Sequence, residues 1–309
     1  MGIAFIFPGQ GSQSVGMGKA LADAFPEAKA VFDAADDALN EKLSTLIWEG
    51  PDDALKLTAN TQPAILTVSV AAHAVFSKRF ATAPSFVAGH SLGEYSALVA
   101  AKAMPLADAV KAVRARGTFM QEAVPAGVGT MAAVLGMEPG KIAELCAQAA
   151  QGEVVSCANF NDPAQTVIAG HTAAVERASE LIKAAGAKRV LPLPVSAPFH
   201  CSLMSPVVPR LEAVLGTFAN PVVPVVSNVE AAPNSDGARV KELLLKQVTG
   251  SVRWIESVQA MEKAGVTKVV ELGPGKALCG MVKRIAKGIE TFNVEDPASL
   301  EKTLAALGA

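Results

Sequence analysis

The stretch that most limits what this chain can become is "SFVAGHSLGEYSAL", Ser85 to Leu98. A short apolar run suited to a strand meets Gly89-His90-Ser91-Leu92-Gly93 and then, with no spacer, a helical pattern. A strand that turns so sharply into a helix crowds the positions two before and two after the serine, so both must be glycine. Ser91 is then held at the tip in a strained backbone conformation, with the dipole of the next helix directed at it. That arrangement belongs to an α/β fold with a parallel sheet, where such turns collect along one sheet edge.

The rest of the chain keeps the same rhythm. Strand-like runs at Ile3 to Phe7, Phe86 to Ala88, Val222 to Ser227 and Val266 to Leu272 alternate with alanine-rich amphipathic stretches, such as Lys19 to Asn40 and Gln62 to Phe80. Two clusters of breakers, "VPAGVG" (Val124 to Gly129) and "PLPVSAP" (Pro192 to Pro198), interrupt it. Between them the pattern reads strand (Thr130 to Leu135), helix (Pro139 to Ala150), strand (Glu153 to Ala158), strand (Thr166 to Ala169), helix (Thr172 to Ala185), strand (Lys188 to Leu193). This β-α-β-β-α-β order is that of a ferredoxin-like unit. We therefore expect an inserted subdomain at 126–195 within a larger core of 1–125 and 196–309; one continuous doubly wound sheet is the alternative.

Composition narrows the function. Of 309 residues half are apolar and 18% charged, enough to bury a large core and too apolar for disorder. A formal charge of −2 without basic runs argues against a nucleic-acid surface and leaves a small molecule or a protein as partner. The four cysteines (Cys146, Cys157, Cys201, Cys279) form no C-x-x-C, and H-E-x-x-H is absent, so free thiols and no structural metal are expected. The start lacks a basic leader region, and Ile6 stands where a myristoylation motif needs Ser or Thr. The apolar stretch Ala64 to Phe76 is too short to span a bilayer. A cytoplasmic protein with no membrane contact is the expectation.

A serine hydroxyl attacks only when a base takes its proton. Of four histidines, His73 sits in a helical pattern, His90 neighbours the serine but points away at an elbow, and His171 begins a helix. His200, in "SAPFHCSLM", lies where the chain re-enters the core and can reach over the sheet edge. No acidic residue between Ser91 and His200 has the setting of a third member, so a Ser-His dyad with the imidazole oriented by a carbonyl or amide oxygen is expected. The oxyanion formed on attack needs two backbone N–H groups. The elbow offers that of Leu92; the opening "FIFPGQGSQ", a strand ending in Pro8-Gly9-Gln10-Gly11, offers that of Gln10. It does not fit the dinucleotide pattern G-x-G-x-x-G, because Ser14 stands at the last position. On the helical pattern "PLADAVKAVRARGTFMQEAV", Arg114 looks solvated. Arg116 is flanked by Ala112, Val113, Phe119 and Met120, so it either snorkels to water, which the pattern alone favours, or aims at an anion in a cleft.

In their order, "FPGQGSQ", "GHSLGEYSAL", "RARGTFMQEAVPAG", "SAPFH", "QVTGSVRW" and "ELGPGKAL" resemble the bacterial malonyl-CoA:acyl-carrier-protein transacylases of type II fatty acid synthesis, from about Ile3 to the end. The resemblance implies an α/β-hydrolase-like core with an inserted ferredoxin-like subdomain. It implies a catalytic Ser91 and His200, oxyanion donors at Gln10 and Leu92, and a carboxylate-binding Arg116, against the snorkelling reading. It also implies that Gln247 helps hold the histidine, although the sequence alone makes Gln247 a helix-end surface residue. Phe199 resembles the malonyl-selective pattern. The implied partners are malonyl-CoA and acyl carrier protein, with no metal or redox cofactor. An acidic carrier calls for a basic patch, for which Lys283, Arg284 and Lys287 with Lys188 and Arg189 are the expected cluster. A hydrolase sharing Ser91 and a non-catalytic nucleotide-binding domain are the other classes.

Overall fold

A computed structural model describes residues 2–125, 127–195 and 197–309. Its strands are β1 (Gly2–Phe7), β2 (Phe86–Gly89), β3 (Gly129–Leu135), β4 (Val155–Asp162), β5 (Gln165–His171), β6 (Arg189–Pro192), β7 (Val225–Val226), β8 (Pro233–Asn234), β9 (Val266–Leu272) and β10 (Glu290–Val294). They form a six-stranded sheet in the order β10-β9-β1-β2-β7-β8 and a separate four-stranded sheet in the order β4-β5-β3-β6. The first is parallel except for the short β8, and the second is antiparallel throughout.

The large sheet is covered on both faces, as a parallel sheet must be. Along β1, Ile3, Phe5 and Phe7 enter one hydrophobic cluster while Ala4 and Ile6 enter the other, the period of two that strand geometry imposes. β2 follows on one side of β1 and β9 lies on the other. Ligand crevices in such sheets open beyond the carboxyl ends of strands, at the point where the order reverses. Phe7 and Gly89 are paired, so the turns after β1 and β2 emerge side by side there.

The glycines of the elbow fit a measurable crowding. A Cβ on Gly93 would lie 2.1 Å from the Phe7 carbonyl oxygen, one on Gly89 would lie 1.9 Å from the Gly93 carbonyl carbon, and one on Gly9 would lie 2.4 Å from the His90 oxygen. The loop after β1 thus rests directly on the elbow after β2.

The small sheet has the strand order and two-helix crossover pattern of a ferredoxin-like unit. Its helices, Pro139–Ala150 and Thr172–Ala184, close one face over Ala132, Val134 and Ile168. The opposite face sends Met131, Ala133 and Ala169 into the main core. Ala126 and Ser196, where the sequence reading sets the junctions of the insertion, lie outside the described residues. Strand β4 is sewn to the large core: Val252 donates to the Ala158 carbonyl and Phe160 to the Val252 carbonyl, each at 2.9 Å, and Ser251 Oγ donates to the Cys157 carbonyl at 2.7 Å.

Three sequence expectations change. Lys19 to Asn40 is two helices, Lys19–Ala24 and Pro26–Leu39, because Pro26 cannot continue the first but suits the opening turn of the second. The strand expected at Val222 to Ser227 shrinks to Val225–Val226, since Pro224 has no N–H to give the ladder. The helix expected from Gln62 starts earlier, at Thr58, and keeps Pro63 in its second turn. All four cysteines are free and buried. Among the described residues no helix is long and apolar enough to cross a membrane, and no cluster of His, Cys, Asp and Glu has the makings of a metal site.

Gly93→Ala is expected to cost roughly 2 to 4 kcal/mol of stability, because rigid backbone must move to admit the methyl group. Gly216→Ala, where a Cβ meets nothing within 4 Å, should stay within about 0.5 kcal/mol of the parent. Urea unfolding of the two variants checks the contrast.

Candidate active site

Ser91 follows β2 with φ at 51°, left-handed backbone that a non-glycine residue keeps only where its surroundings enforce it. His200, on the loop before the short turn Ser202–Met204, has φ at 58° and shares the feature. The two meet: Ser91 Oγ lies 2.7 Å from His200 Nε2. His200 Nδ1 lies 2.9 Å from the main-chain carbonyl of Gln247. A carbonyl only accepts, so Nδ1 carries the proton and Nε2 is left to accept from the serine hydroxyl. His200 thus takes its orientation from a carbonyl oxygen, as the dyad expectation had it.

Burial and then the nearby Arg116 cation depress the His200 imidazole to about 3. It is neutral at ordinary pH and available as a base. The N–H groups of Gln10 and Leu92 have no hydrogen-bond partner among the described residues. Both border the cleft that Ser91 faces, and Gln10 is fixed there through its side chain, which donates to Thr58 Oγ1 at 3.3 Å. The Ser91 N–H, by contrast, is taken by Asn228 Oδ1 at 2.7 Å.

Arg116 does not snorkel. Only 1% of it is exposed, and the helix Leu106–Glu122 turns its head inward to the serine. Its Nη1 donates to Gln62 Oε1 at 2.8 Å, and its Nη2 to Gln247 Oε1 at 2.9 Å and to Ser91 Oγ at 3.1 Å. Those partners are all neutral, and Nε–H has no partner among the described residues. The side-chain pattern misleads because Gln62, Gln247 and the serine stand just where the apolar neighbours end. Arg114 departs from expectation in the other direction: it is partly buried, donating to the Ala59 carbonyl at 3.0 Å and pairing with Asn60 and Glu41.

Gln247 is fully buried on the helix Gly237–Thr249, not at the surface. Its main chain holds His200, and its side chain holds Arg116 while donating to the Ser91 carbonyl at 3.0 Å and to Glu94 Oε2 at 2.7 Å. Phe199 lines the cleft together with Met120, Met131, Leu193 and Val195, in a space of about 570 Å³ that includes its open mouth. The other histidines behave as the sequence suggests for His73, which packs by its edge on Phe5 and Phe7, and for His171, which opens a helix. His90 turns from the serine, and its Nε2 donates to Asn161 Oδ1, 2.8 Å away on β4.

Sequence reasoning missed Gln62, Glu94 and Asn228. Asn228 follows β7 at the same sheet edge, and Glu94 opens the elbow helix, positions that could have drawn attention. Gln62, in the helix Thr58–Arg79, carries no local signal.

An α/β sheet with a serine at an elbow, a neutral histidine 2.7 Å from it and two unused N–H groups beside it is the arrangement of the serine-nucleophile acyl enzymes. The acyl transferase domain matches residues 4–299, and the chain belongs to that family. It is 48% identical over 303 residues to the malonyl CoA-acyl carrier protein transacylase of Escherichia coli K12, covering 97% of this chain and 98% of that one. Against the protein of the same description in Bacillus subtilis 168 it is 49% identical over 308 residues, covering 99% and 97%. A solved complex of a type II PKS acyl-carrier protein with its malonyl-transacylase superposes with a TM-score of 0.96 at 44% identity, covering 99% of this chain and all of that one.

Because the unfolded state takes up a proton at His200 near the ordinary histidine value and the native state refuses it to about 3, this group makes stability fall as pH falls through that window. Replacing it with His200→Gln removes the effect. The stability of the parent minus that of the variant should therefore rise by about 1.4 kcal/mol per pH unit between about pH 4 and 6, measured by denaturant unfolding at each pH. A pH-independent difference would mean that the imidazole is not held neutral.

Proposed function

We propose that this protein transfers a malonyl group from malonyl-CoA to the phosphopantetheine thiol of an acyl carrier protein, supplying extender units for fatty acid synthesis in the cytoplasm. The observation that carries the reading is Arg116: a buried guanidinium among neutral acceptors, 3.1 Å from the proposed nucleophile. A cation so placed selects an acyl group that ends in a carboxylate, since its planar fork binds one with two parallel hydrogen bonds. The named relatives and the carrier-protein complex support the same donor and acceptor.

The exchange runs in two balanced steps. Ser91 Oγ attacks the malonyl thioester carbonyl as its proton passes to His200 Nε2, and the oxyanion is met by the Gln10 and Leu92 N–H groups. The carbon–sulfur bond breaks, the coenzyme A sulfur leaves with the proton from His200, and a malonyl ester remains on Ser91. Arg116 holds the distal carboxylate while the carrier thiol enters. That thiol gives its proton to His200, its sulfur attacks the ester, and Ser91 Oγ departs with the proton. Phe199 walls the acyl pocket. The proton always has a protein group to go to, so the chemistry needs no cofactor.

The division into a core of 1–125 and 196–309 and an insertion of 126–195 belongs to this proposal, supported by the insertion's own hydrophobic cluster. The cleft lies between the two, which lets the pantetheine arm enter from their junction. Of the expected basic cluster, Arg284 is committed to the buried Asp162 at 2.8 Å, while Lys188, Arg189, Lys283 and Lys287 are exposed. Leu135 pairs with both Arg189 and Gln165, Gln165 pairs with Asp162, and Asp162 holds Arg284, so Arg189 and Arg284 stand at one end of the small sheet, which supports that end as the carrier docking face.

Intact-mass measurement after mixing with malonyl-CoA tests the reading: a stable malonyl adduct on Ser91 is expected, and rapid release of free malonate would make the protein a hydrolase. Arg116→Ala should lower malonyl transfer by about 100-fold or more and leave acetyl transfer unchanged or improved. Equal losses for both would make the arginine structural.

A further inference from the structure

Behind the proposed dyad lies a buried carboxylate that the exchange above does not use. Glu94 is 3% exposed at the start of the elbow helix Gly93–Ala100. Its Oε2 accepts from the Asn228 main-chain N–H at 3.0 Å and from Gln247 Nε2 at 2.7 Å. Both partners lead to the reacting groups. Asn228 accepts from the Ser91 N–H and donates to the Gly89 carbonyl at 2.7 Å, gripping the elbow on either side. Gln247 holds Arg116 by its side chain and His200 by its main chain.

A neutral amide could accept those two hydrogen bonds, so the negative charge is in excess of what bracing requires. Burying a carboxylate costs free energy unless a charge elsewhere answers it. The charges in reach are positive. The Arg116 cation faces Glu94 from the helix Leu106–Glu122, and His200 becomes an imidazolium whenever it takes a proton. Among the described residues, the polar groups that Glu94 meets from the turn after β7, from β8 and from the helix Gly237–Thr249 are Ser227, Asn234 and Gln247, all uncharged. Its titratable neighbour in the same helix, Tyr95, is buried and held in its neutral phenol form. Burial pushes the Glu94 carboxyl up to about 7, against the opposing pull of Asn228, Gln247 and Arg116.

We infer that Glu94 is a positioning residue for the acyl-transfer reaction, its ionised carboxylate acting through Gln247 and Asn228 to hold Ser91, His200 and Arg116 in register and to offset the imidazolium that forms on attack. The inference rests on the function proposed above. Buried, and with Arg116 beside it, His200 strongly disfavours the imidazolium, and an anion one hydrogen-bonded residue away lowers that barrier. The ionised form is the active one, so acylation should quicken as pH rises through the Glu94 titration.

The test is the rate of coenzyme A release in the first turnover with malonyl-CoA, from about pH 5.5 to 8.5, for the parent, Glu94→Gln and Glu94→Asp. The parent rate should fall about tenfold per pH unit below a midpoint near 7. Glu94→Gln should be flat with pH and at least about tenfold slower than the parent at the alkaline end, and Glu94→Asp should restore the slope. All three should reach one malonyl group per chain by mass. A brace without charge would slow Glu94→Gln evenly and keep the midpoint, which would overturn the inference, as would a parent profile with no midpoint in this range. Absence of any Ser91 adduct in the parent would instead overturn the acyl-transfer reading itself, and with it this inference.

Discussion

The site is organised around a cation without a counter-ion in contact. Moving a guanidinium out of water costs several kcal/mol unless donors are matched and charge is answered, yet Arg116 is held by two glutamine side chains and a serine hydroxyl, all neutral. The Tyr95 ring, 5.6 Å away, adds only a modest attraction. Glu94 answers that charge only through Gln247, so a place remains for an anion in direct contact, and the position of Arg116 beside Ser91 Oγ marks where the proposed acyl carboxylate rests. Burial first, and then the same charge, keep His200 neutral, as the proposed dyad needs if it is to receive a proton.

This cation ties together segments far apart in sequence. The helix that carries it, the Thr58–Arg79 helix with Gln62, the elbow with Ser91 and the Gly237–Thr249 helix with Gln247 all converge on one guanidinium. The antiparallel sheet contributes the remaining wall and is fastened along β4, through main-chain bonds to Val252, the His90–Asn161 contact and the Arg284–Asp162 pair. The elbow residue that touches Asn161 is the immediate neighbour of the serine, so seating of the insertion and of the nucleophile are mechanically linked.

Much of this was legible from residue types and spacing. Gly89 and Gly93 announced the elbow because no other residue fits, and the α-β rhythm with two breaker clusters announced the architecture. Helix Pro139–Ala150 was legible to the residue, helped by Pro139 in its first turn. Other elements were hidden by their physics. The two-residue strand β8 buries too little to leave a periodic pattern, and β10, partly exposed, has no apolar run. Gln247 and Gln62 look like surface residues, since polar side chains inside a core are recognisable only from the partners they meet. Arg116 was misjudged on pattern alone for the same reason: helical neighbours tell which face is buried, and a buried charge contradicts that rule only where a ligand or network answers it.

Arg116 is the proposed seat of the acyl carboxylate, and the structure of the Ser91 ester trapped after reaction with malonyl-CoA tests this most directly. The carboxylate is expected in hydrogen-bond contact with the Arg116 guanidinium, with the ester carbonyl oxygen at the Gln10 and Leu92 N–H groups. An ester whose carboxylate points to the open mouth of the cleft, with Arg116 still bound only to Gln62 and Gln247, would contradict it.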